Sequence, residues 1–281
     1  MEPLLAIARQ IRTRFGNERL WNMLRPIYWA AISAVPGSKN VRLEFPDGCS
    51  YRIDAQFYAW QVNQYELPVV RELIGTLTET SVLYDVGAHV GIISLMAAAK
   101  APRGHVYAFE PSPPNFRYLE DHIRINGYTD RVDAARVLVG EQDMDEVPFV
   151  CRPGQFTANS LAYAIDGGHT TLTRMVTIDG MVQRGNVRPP THIKIDVEGY
   201  EAAVLKGATL TLREFRPTVI CAVHPEPLRL LGETPDELVE HVVAQGYQAF
   251  TLKGEPVITP GFEEIVFRPV ATCRLADRGL Q

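Results

Sequence analysis

Cysteine is scarce: the 281 residues carry four, Cys49, Cys151, Cys221 and Cys273. They stand far apart and form no C-x-x-C pair, which excludes a local zinc or thioredoxin-type redox motif. No secretion signal accompanies them, so four reduced, mostly buried thiols are expected and not a disulfide framework. Long apolar runs are missing too. The most apolar early stretch, Ile27 to Val35, is too short to cross a bilayer. The opening MEPLLAIARQIRTRF lacks the basic region and apolar core of a signal peptide. A cytoplasmic protein without a transmembrane segment is therefore expected. Runs of like charge are absent as well. Lys and Arg number 28 against 33 Asp and Glu, a net charge of −5 with no basic arm, so nucleic acid is not an expected partner. Internal repeats and low-complexity segments are also lacking.

What is present is an ordinary globular composition, 46% apolar and 22% charged. A chain of this size can bury roughly 75% of its unfolded surface, so its core needs no disulfide or metal. Three regions follow from the patterning. Residues 1–40 form an N-terminal helical extension, helical over 4–35 and broken at Pro36-Gly37. An amphipathic extension can dock on the body or on a second copy, giving a homo-oligomer; attachment to a membrane surface is the alternative. Residues 41–80 hold a hairpin, with alternating Val41, Leu43, Phe45 and then Tyr51, Ile53 about Asp47-Gly48, and a helix over 62–77. Residues 81–281 alternate strands with helices, and the segment 141–190 reads as an elaborated crossover.

Within the third region, strands are expected at 82–84, 106–109, 134–139, 193–196, 218–223, 248–252 and 264–268. Helices are expected at 92–100, from Ser112 to Gly127, from Glu201 through Leu212, and at 235–245. This is an α/β fold: a Rossmann-like, seven-stranded, mostly parallel sheet with helices on both faces. The last two strands have no helix between them and can pair antiparallel.

Ligands of such sheets bind beyond the carboxyl ends of the strands, at the switch point. The first strand runs into Asp85-Val86-Gly87-Ala88-His89-Val90-Gly91, and Glu110 follows at the end of the second. An acid about 20 residues past such a loop can reach a ribose diol. The loop has two glycines, not the three of a dinucleotide fingerprint, and Asp85 would repel a pyrophosphate. A cationic, ribose-containing ligand such as S-adenosylmethionine suits both acids. A nucleotide-dependent oxidoreductase and a noncatalytic binding module on the same fold are the alternatives.

The stretch THIKIDVEGYEAAVLKGA, residues 191–208, sets Asp196 and Glu198 at the same sheet edge. Glu201 reads as a first-turn helix acid. Together YDVGAHVG, FEPSPPN, TIDG and IKIDVEGYEAAVLKGA resemble the FkbM family of S-adenosylmethionine-dependent methyltransferases. The resemblance runs from about Val41 to Val223 and includes Glu66. His89 departs from it, since the family more often carries Asn there.

The resemblance implies methyl transfer to a hydroxyl of a sugar, glycan or secondary metabolite, a small-molecule or saccharide acceptor. It implies that Asp85, Gly87, Ala88, His89 and Gly91 line the methionine part of the cofactor. Glu110 would bind the ribose, with Pro111 and Ser112 shaping that pocket. Val139 and Gly140, ending the third strand, would lie near the adenine, and Asp196 near the transferred methyl. Beside this, His224 in VHPE follows the fifth strand and is either a general base or a residue capping its loop. Asp196 can be the base or orient one. Asp196, Glu198 and His224 can also converge on Mg²⁺, although no tight ligand motif marks a metal and metal-free catalysis is the preferred reading. His122, His169, His192 and His241 have no chemical context. Tyr58, Trp60 and Tyr65 line an acceptor pocket or pack in the core.

Overall fold

The computed structural model describes residues 40–44, 48–57, 67–151, 169–261 and 263–271. The expected helices over 4–35, the aromatics Tyr58, Trp60 and Tyr65, Glu66, Cys273 and the crossover tip at 152–168 lie outside them. A hairpin comes first, β1 (Val41–Glu44) against β2 (Ser50–Ile53), antiparallel with Val41 opposite Ile53. Tyr51 and Ile53 are buried while Arg52 is exposed, the period-two alternation of a half-buried strand. Helix α1 (Leu67–Thr76) follows and buries Val69, Val70 and Leu73.

The layered core then begins. Its elements are β3 (Val82–Val86), α2 (Ile92–Lys100), β4 (His105–Phe109), α3 (Pro113–Asn126) and β5 (Val132–Ala135). An excursion follows through β6 (Leu138–Val139), β7 (Met144–Cys151), β8 (His169–Val176) and α4 (Ile178–Gln183). The core resumes with β9 (His192–Ile195), α5 (Glu201–Lys206), α6 (Thr209–Phe215), β10 (Thr218–Val223), α7 (Pro225–Leu230), α8 (Pro235–Val243), β11 (Tyr247–Thr251) and β12 (Glu263–Pro269).

Seven strands make one sheet in the order β11-β12-β10-β9-β3-β4-β5. All neighbours from β10 to β5 are parallel, and β12 runs antiparallel between β10 and β11. The expected seven-stranded α/β sheet is present, with its closing strands antiparallel. Every residue of β3 is buried, as befits a central strand covered on both faces. Leu83 packs with Leu73, Leu95 and Leu119 on one side of the sheet. Its neighbour Tyr84 packs with Leu205, Leu212 and Leu238 on the other.

Two expectations change. The third core strand ends at Ala135, not Val139, because the Val137 N–H turns back onto the Ala135 carbonyl at 3.1 Å. Leu138 and Val139 then join a separate three-stranded sheet, β6-β8-β7, built from the crossover. The single helix expected from Glu201 is two, α5 and α6. The Asp179 carboxylate of α4 accepts the Leu210 and Thr211 N–H groups at 2.9 and 2.7 Å, capping a fresh helix start. The expectation of mostly buried, reduced thiols holds for the described cysteines: Cys151 and Cys221 are buried, Cys49, just after the hairpin turn, is exposed, and all three are free. Among the described residues no helix is long and apolar enough to cross a membrane.

Candidate active site

The chain order reverses between β4 and β9, which flank β3. Ligands of such sheets bind at this switch point, beyond the carboxyl ends of the strands. The loop after β3 is anchored over it, with the Gly87 and Ala88 N–H groups both bonded to the Phe109 carbonyl at 3.0 Å. Gly87 has φ +78°, and a Cβ there would lie 1.9 Å from the Asp196 carbonyl oxygen. Only a residue without a side chain lets this loop touch the end of β9. His89 has φ +55°. This left-handed conformation is one that Asn, Asp and His adopt more readily than other residues, so His89 suits it.

The loop is fastened to Glu110. Its Oε2 accepts the His89 N–H at 2.9 Å, and its Oε1 accepts the Ser112 N–H at 2.9 Å and the Asn115 Nδ2–H at 3.4 Å. Burial pushes the Glu110 carboxyl up to about 7, against the opposing pull of these N–H donors and of Lys194. Ser112 is buried at the N-cap of α3 and Pro111 is half-buried beside it. From the other side His122 braces the loop. Its Nδ1 bonds the Val90 carbonyl at 2.7 Å, and its Nε2 accepts the Asp54 N–H at 3.0 Å, beyond the end of β2. Burial lowers its pKa, and the neutral ring ties the hairpin to the loop.

Asp85 sits beneath the loop and is wholly buried. Its Oδ2 accepts the Ser94 hydroxyl at 2.6 Å, while Oδ1 faces Lys194 Nζ at 3.8 Å. Burial raises its pKa, with Lys194 and Ser94 opposing. Asp85 and Lys194 are register partners of β3 and β9, which explains their pairing. Lys194 also donates to the Gly87 carbonyl at 3.3 Å and to Asp196 Oδ2 at 3.5 Å. This buried lysine went unread in the sequence, where the one signal was a charge inside the four-residue strand His192–Ile195. Val139 and Gly140 are buried, with the Gly140 N–H bonded to the Val176 carbonyl in the small sheet.

Past β9 the backbone is contorted. Glu198 has φ +54° and Gly199 φ +105°. A Cβ on Gly199 would lie 2.2 Å from Cβ of Pro227, so the turn packs directly on α7. The result brings three side chains together. His224 Nε2 lies 3.8 Å from Asp196 Oδ1 and 3.7 Å from Glu198 Oε2. His224 occupies the N-cap position of α7 without making a side-chain cap bond. Its Nδ1 instead meets Glu201 Oε1 at 2.8 Å. Glu201 is the expected first-turn acid of α5, accepting a local N–H, that of Gly199, at 2.8 Å, and it is wholly buried. Burial lowers the His224 pKa, and the contact with Glu201 and the charges of Asp196 and Glu198 outweigh it, for a net rise.

A mostly parallel seven-stranded sheet, with acids converging at its switch point, has the class I methyltransferase architecture. Residues 85–249 match the family model described as the methyltransferase FkbM domain, and the chain belongs to that family. Hexuronic acid methyltransferase AglP of Haloferax volcanii is 32% identical over 168 residues, 59% of this chain and 66% of that protein. AMB antimetabolite synthetase AmbE of Pseudomonas aeruginosa is 34% identical over 99 residues, 35% of this chain and 4% of that protein. The structure of the methyltransferase FkbM from Methylobacillus flagellatus superposes with a TM-score of 0.47 at 21% identity, covering 69% of this chain and 45% of that one.

Proposed function

We propose that the protein is an S-adenosylmethionine-dependent O-methyltransferase acting on a hydroxyl of a sugar, glycan or secondary metabolite. The observation that carries this reading is a juxtaposition. The Glu110-fastened loop and the Asp196, Glu198, His224 cluster open on the same edge of the sheet, linked through Lys194 and the contact of Gly87 with Asp196. The residues suit the cofactor. Glu110 offers a carboxylate with one lone-pair site left, on Oε2, that can accept a ribose hydroxyl. Ala88, His89 and Gly91 supply the methionine-side backbone, and Pro111, Ser112, Val139 and Gly140 supply the walls around ribose and adenine. Asp85 supports the loop from below through Ser94 and Lys194. When bound, the cofactor supplies an electrophilic methyl group on a cationic sulfur.

The chain's own task is to place the acceptor. A sugar hydroxyl is a weak acid, and its oxygen must be aligned and relieved of a proton. Asp196, Glu198 and His224 present two carboxylates and an imidazole edge to one point, where an acceptor hydroxyl can be held and its proton passed to a carboxylate oxygen. Glu201 fixes the ring of His224. The hexuronic acid named in the AglP relative makes uronic acids and their glycosides the first acceptors to try.

Two measurements test the reading. Calorimetry should show S-adenosylmethionine binding, and mass spectrometry of hydroxylated acceptors should show a gain of one methyl group. Binding of NAD in place of S-adenosylmethionine would restore the oxidoreductase alternative. Cofactor binding without turnover on any acceptor would favour the noncatalytic one.

A further inference from the structure

We propose that Asp196, Glu198 and His224 bind a divalent cation of the Mg²⁺ or Mn²⁺ type, which positions the acceptor hydroxyl; the positioning role rests on the methyltransferase reading above. The three residues follow the carboxyl ends of two adjacent parallel strands, β9 and β10. Glu198 and His224 each lie three residues past the registered pair Ile195 and Cys221. All three donors lie within 4.8 Å of one another. His224 Nε2 stands 3.8 and 3.7 Å from the two carboxylate oxygens, beyond hydrogen-bonding length for either pair. Cis ligands about 2.1 Å from an octahedral ion stand about 3.0 Å apart and trans ligands about 4.2 Å apart. The two His224 spacings fall between these, so a small inward shift of the side chains closes the three donors on one ion.

A second observation lies behind the cluster. The other ring nitrogen of His224 is held at 2.8 Å by Glu201, a carboxylate with no solvent exposure. A carboxylate on the far nitrogen of a histidine is the outer-shell arrangement of metal sites: it keeps the proton on Nδ1 and turns the Nε2 lone pair toward the ion. Oε2 of the same glutamate is buried without a hydrogen-bond partner among the described residues, so the carboxyl has acceptor capacity here that local bonds do not use. Lys194 does not fill the role of the cation. It faces Asp196 through Oδ2, while Oδ1 is the atom turned to His224.

Two carboxylates with one imidazole make a hard to borderline donor set. The Asp196 and Glu198 side chains are 25% and 32% exposed, which leaves room for water and a substrate hydroxyl in the remaining coordination positions.

The test is titration of the chelator-stripped full chain with Mn²⁺, read by the electron paramagnetic resonance signal of the free ion. One Mn²⁺ per chain is expected, displaced by Mg²⁺. Glu201→Gln should weaken it roughly 10- to 100-fold, and Glu198→Gln at least as much. Asp130→Asn, an exposed carboxylate far along the chain, should leave it unchanged. If Glu201→Gln fails to fold by circular dichroism, the part-exposed Glu198→Gln decides. No Mn²⁺ site, or a site indifferent to Glu198→Gln, overturns the proposal. Calorimetry with S-adenosylmethionine in chelator separates the two readings. Cofactor binding without a Mn²⁺ site sinks the cation alone, and absence of both sinks the methyltransferase reading with it.

Discussion

The contact between the cofactor loop and the end of β9 can be broken with one methyl group. In Gly87→Ala the new Cβ would stand 1.9 Å from the Asp196 carbonyl oxygen, 2.9 Å from its carbon and 3.3 Å from Val197 Cγ1. The first two atoms are backbone, so no rotamer change relieves the clash. Loop and strand must separate by more than 1 Å, roughly the difference between this approach and an ordinary carbon–oxygen contact of about 3.3 Å. The residue must also hold φ +78°. That conformation costs a side-chain-bearing residue about 1–2 kcal/mol, and overpacking of this kind about 1–3 kcal/mol. A loss of about 2–5 kcal/mol of stability is expected, read as a shift in urea midpoint at constant slope. The functional loss should be larger than stability alone accounts for. Asp196 moves with the strand, and Lys194 loses the Gly87 carbonyl that it bonds. A misplacement of about 1 Å can cost about 100-fold in turnover. The control is Gly75→Ala in α1, where a Cβ meets nothing within 4 Å; it should be stabilising by about 0.5–1 kcal/mol. A Gly87→Ala protein with wild-type urea midpoint and wild-type methyl transfer would refute the claim that this contact assembles the site.

Further outcomes follow from the same geometry. The Glu110 carboxyl titrates near 7 against an ordinary 4.5, so the folded chain holds a proton there that the unfolded chain has released. Its contribution to stability is full below the ordinary value and is lost as pH rises through about 7. Glu110→Gln should flatten that slope in thermal melts across the window, and should weaken S-adenosylmethionine binding by calorimetry. His89→Asn should leave cofactor affinity and melting unchanged, whereas His89→Val, forced into φ +55°, should lose about 1–2 kcal/mol; equal stability of the two variants would contradict the backbone reading. Lys194→Met strips the partner from buried Asp85 and should cost about 3–5 kcal/mol. An unchanged melting temperature would mean that Asp85 is neutral in the folded state and needs no ammonium.

Much of the sheet was legible because its strands are short apolar runs bounded by glycine, proline and polar turns. Thr218–Val223 and Ile92–Lys100 fall where periodicity sets them. The excursion after β5 was not legible. Residues 132–139 form one apolar-spaced stretch, and nothing local marks the turn at Val137 that sends Leu138 and Val139 to another sheet. The break between α5 and α6 was hidden for a different reason. The capping acid, Asp179, lies about 30 residues upstream, so a helix boundary set by a distant side chain leaves no trace in the local pattern.

The site divides along the same line. Asp196, Glu198 and Glu110 were legible because each lies within three residues of a strand end, and strand ends mark the ligand edge of an α/β sheet. What they pair with depends on register, which patterning does not encode. The Asp85–Lys194 pair exists because those residues are opposite across β3 and β9. His224 meets Asp196 and Glu198 because Cys221 is aligned with Ile195 in the parallel pair of β10 and β9. Glu201 carries the sharpest consequence. As a first-turn acid its local role was legible, and it does accept the Gly199 N–H. Its burial against His224 comes from the tight packing of Gly199 on Pro227, a contact between segments almost 30 residues apart. A sequence read by local rules therefore finds the groups at the ligand edge of the sheet, and misses what aims them: buried Lys194, and the burial of Glu201 against His224.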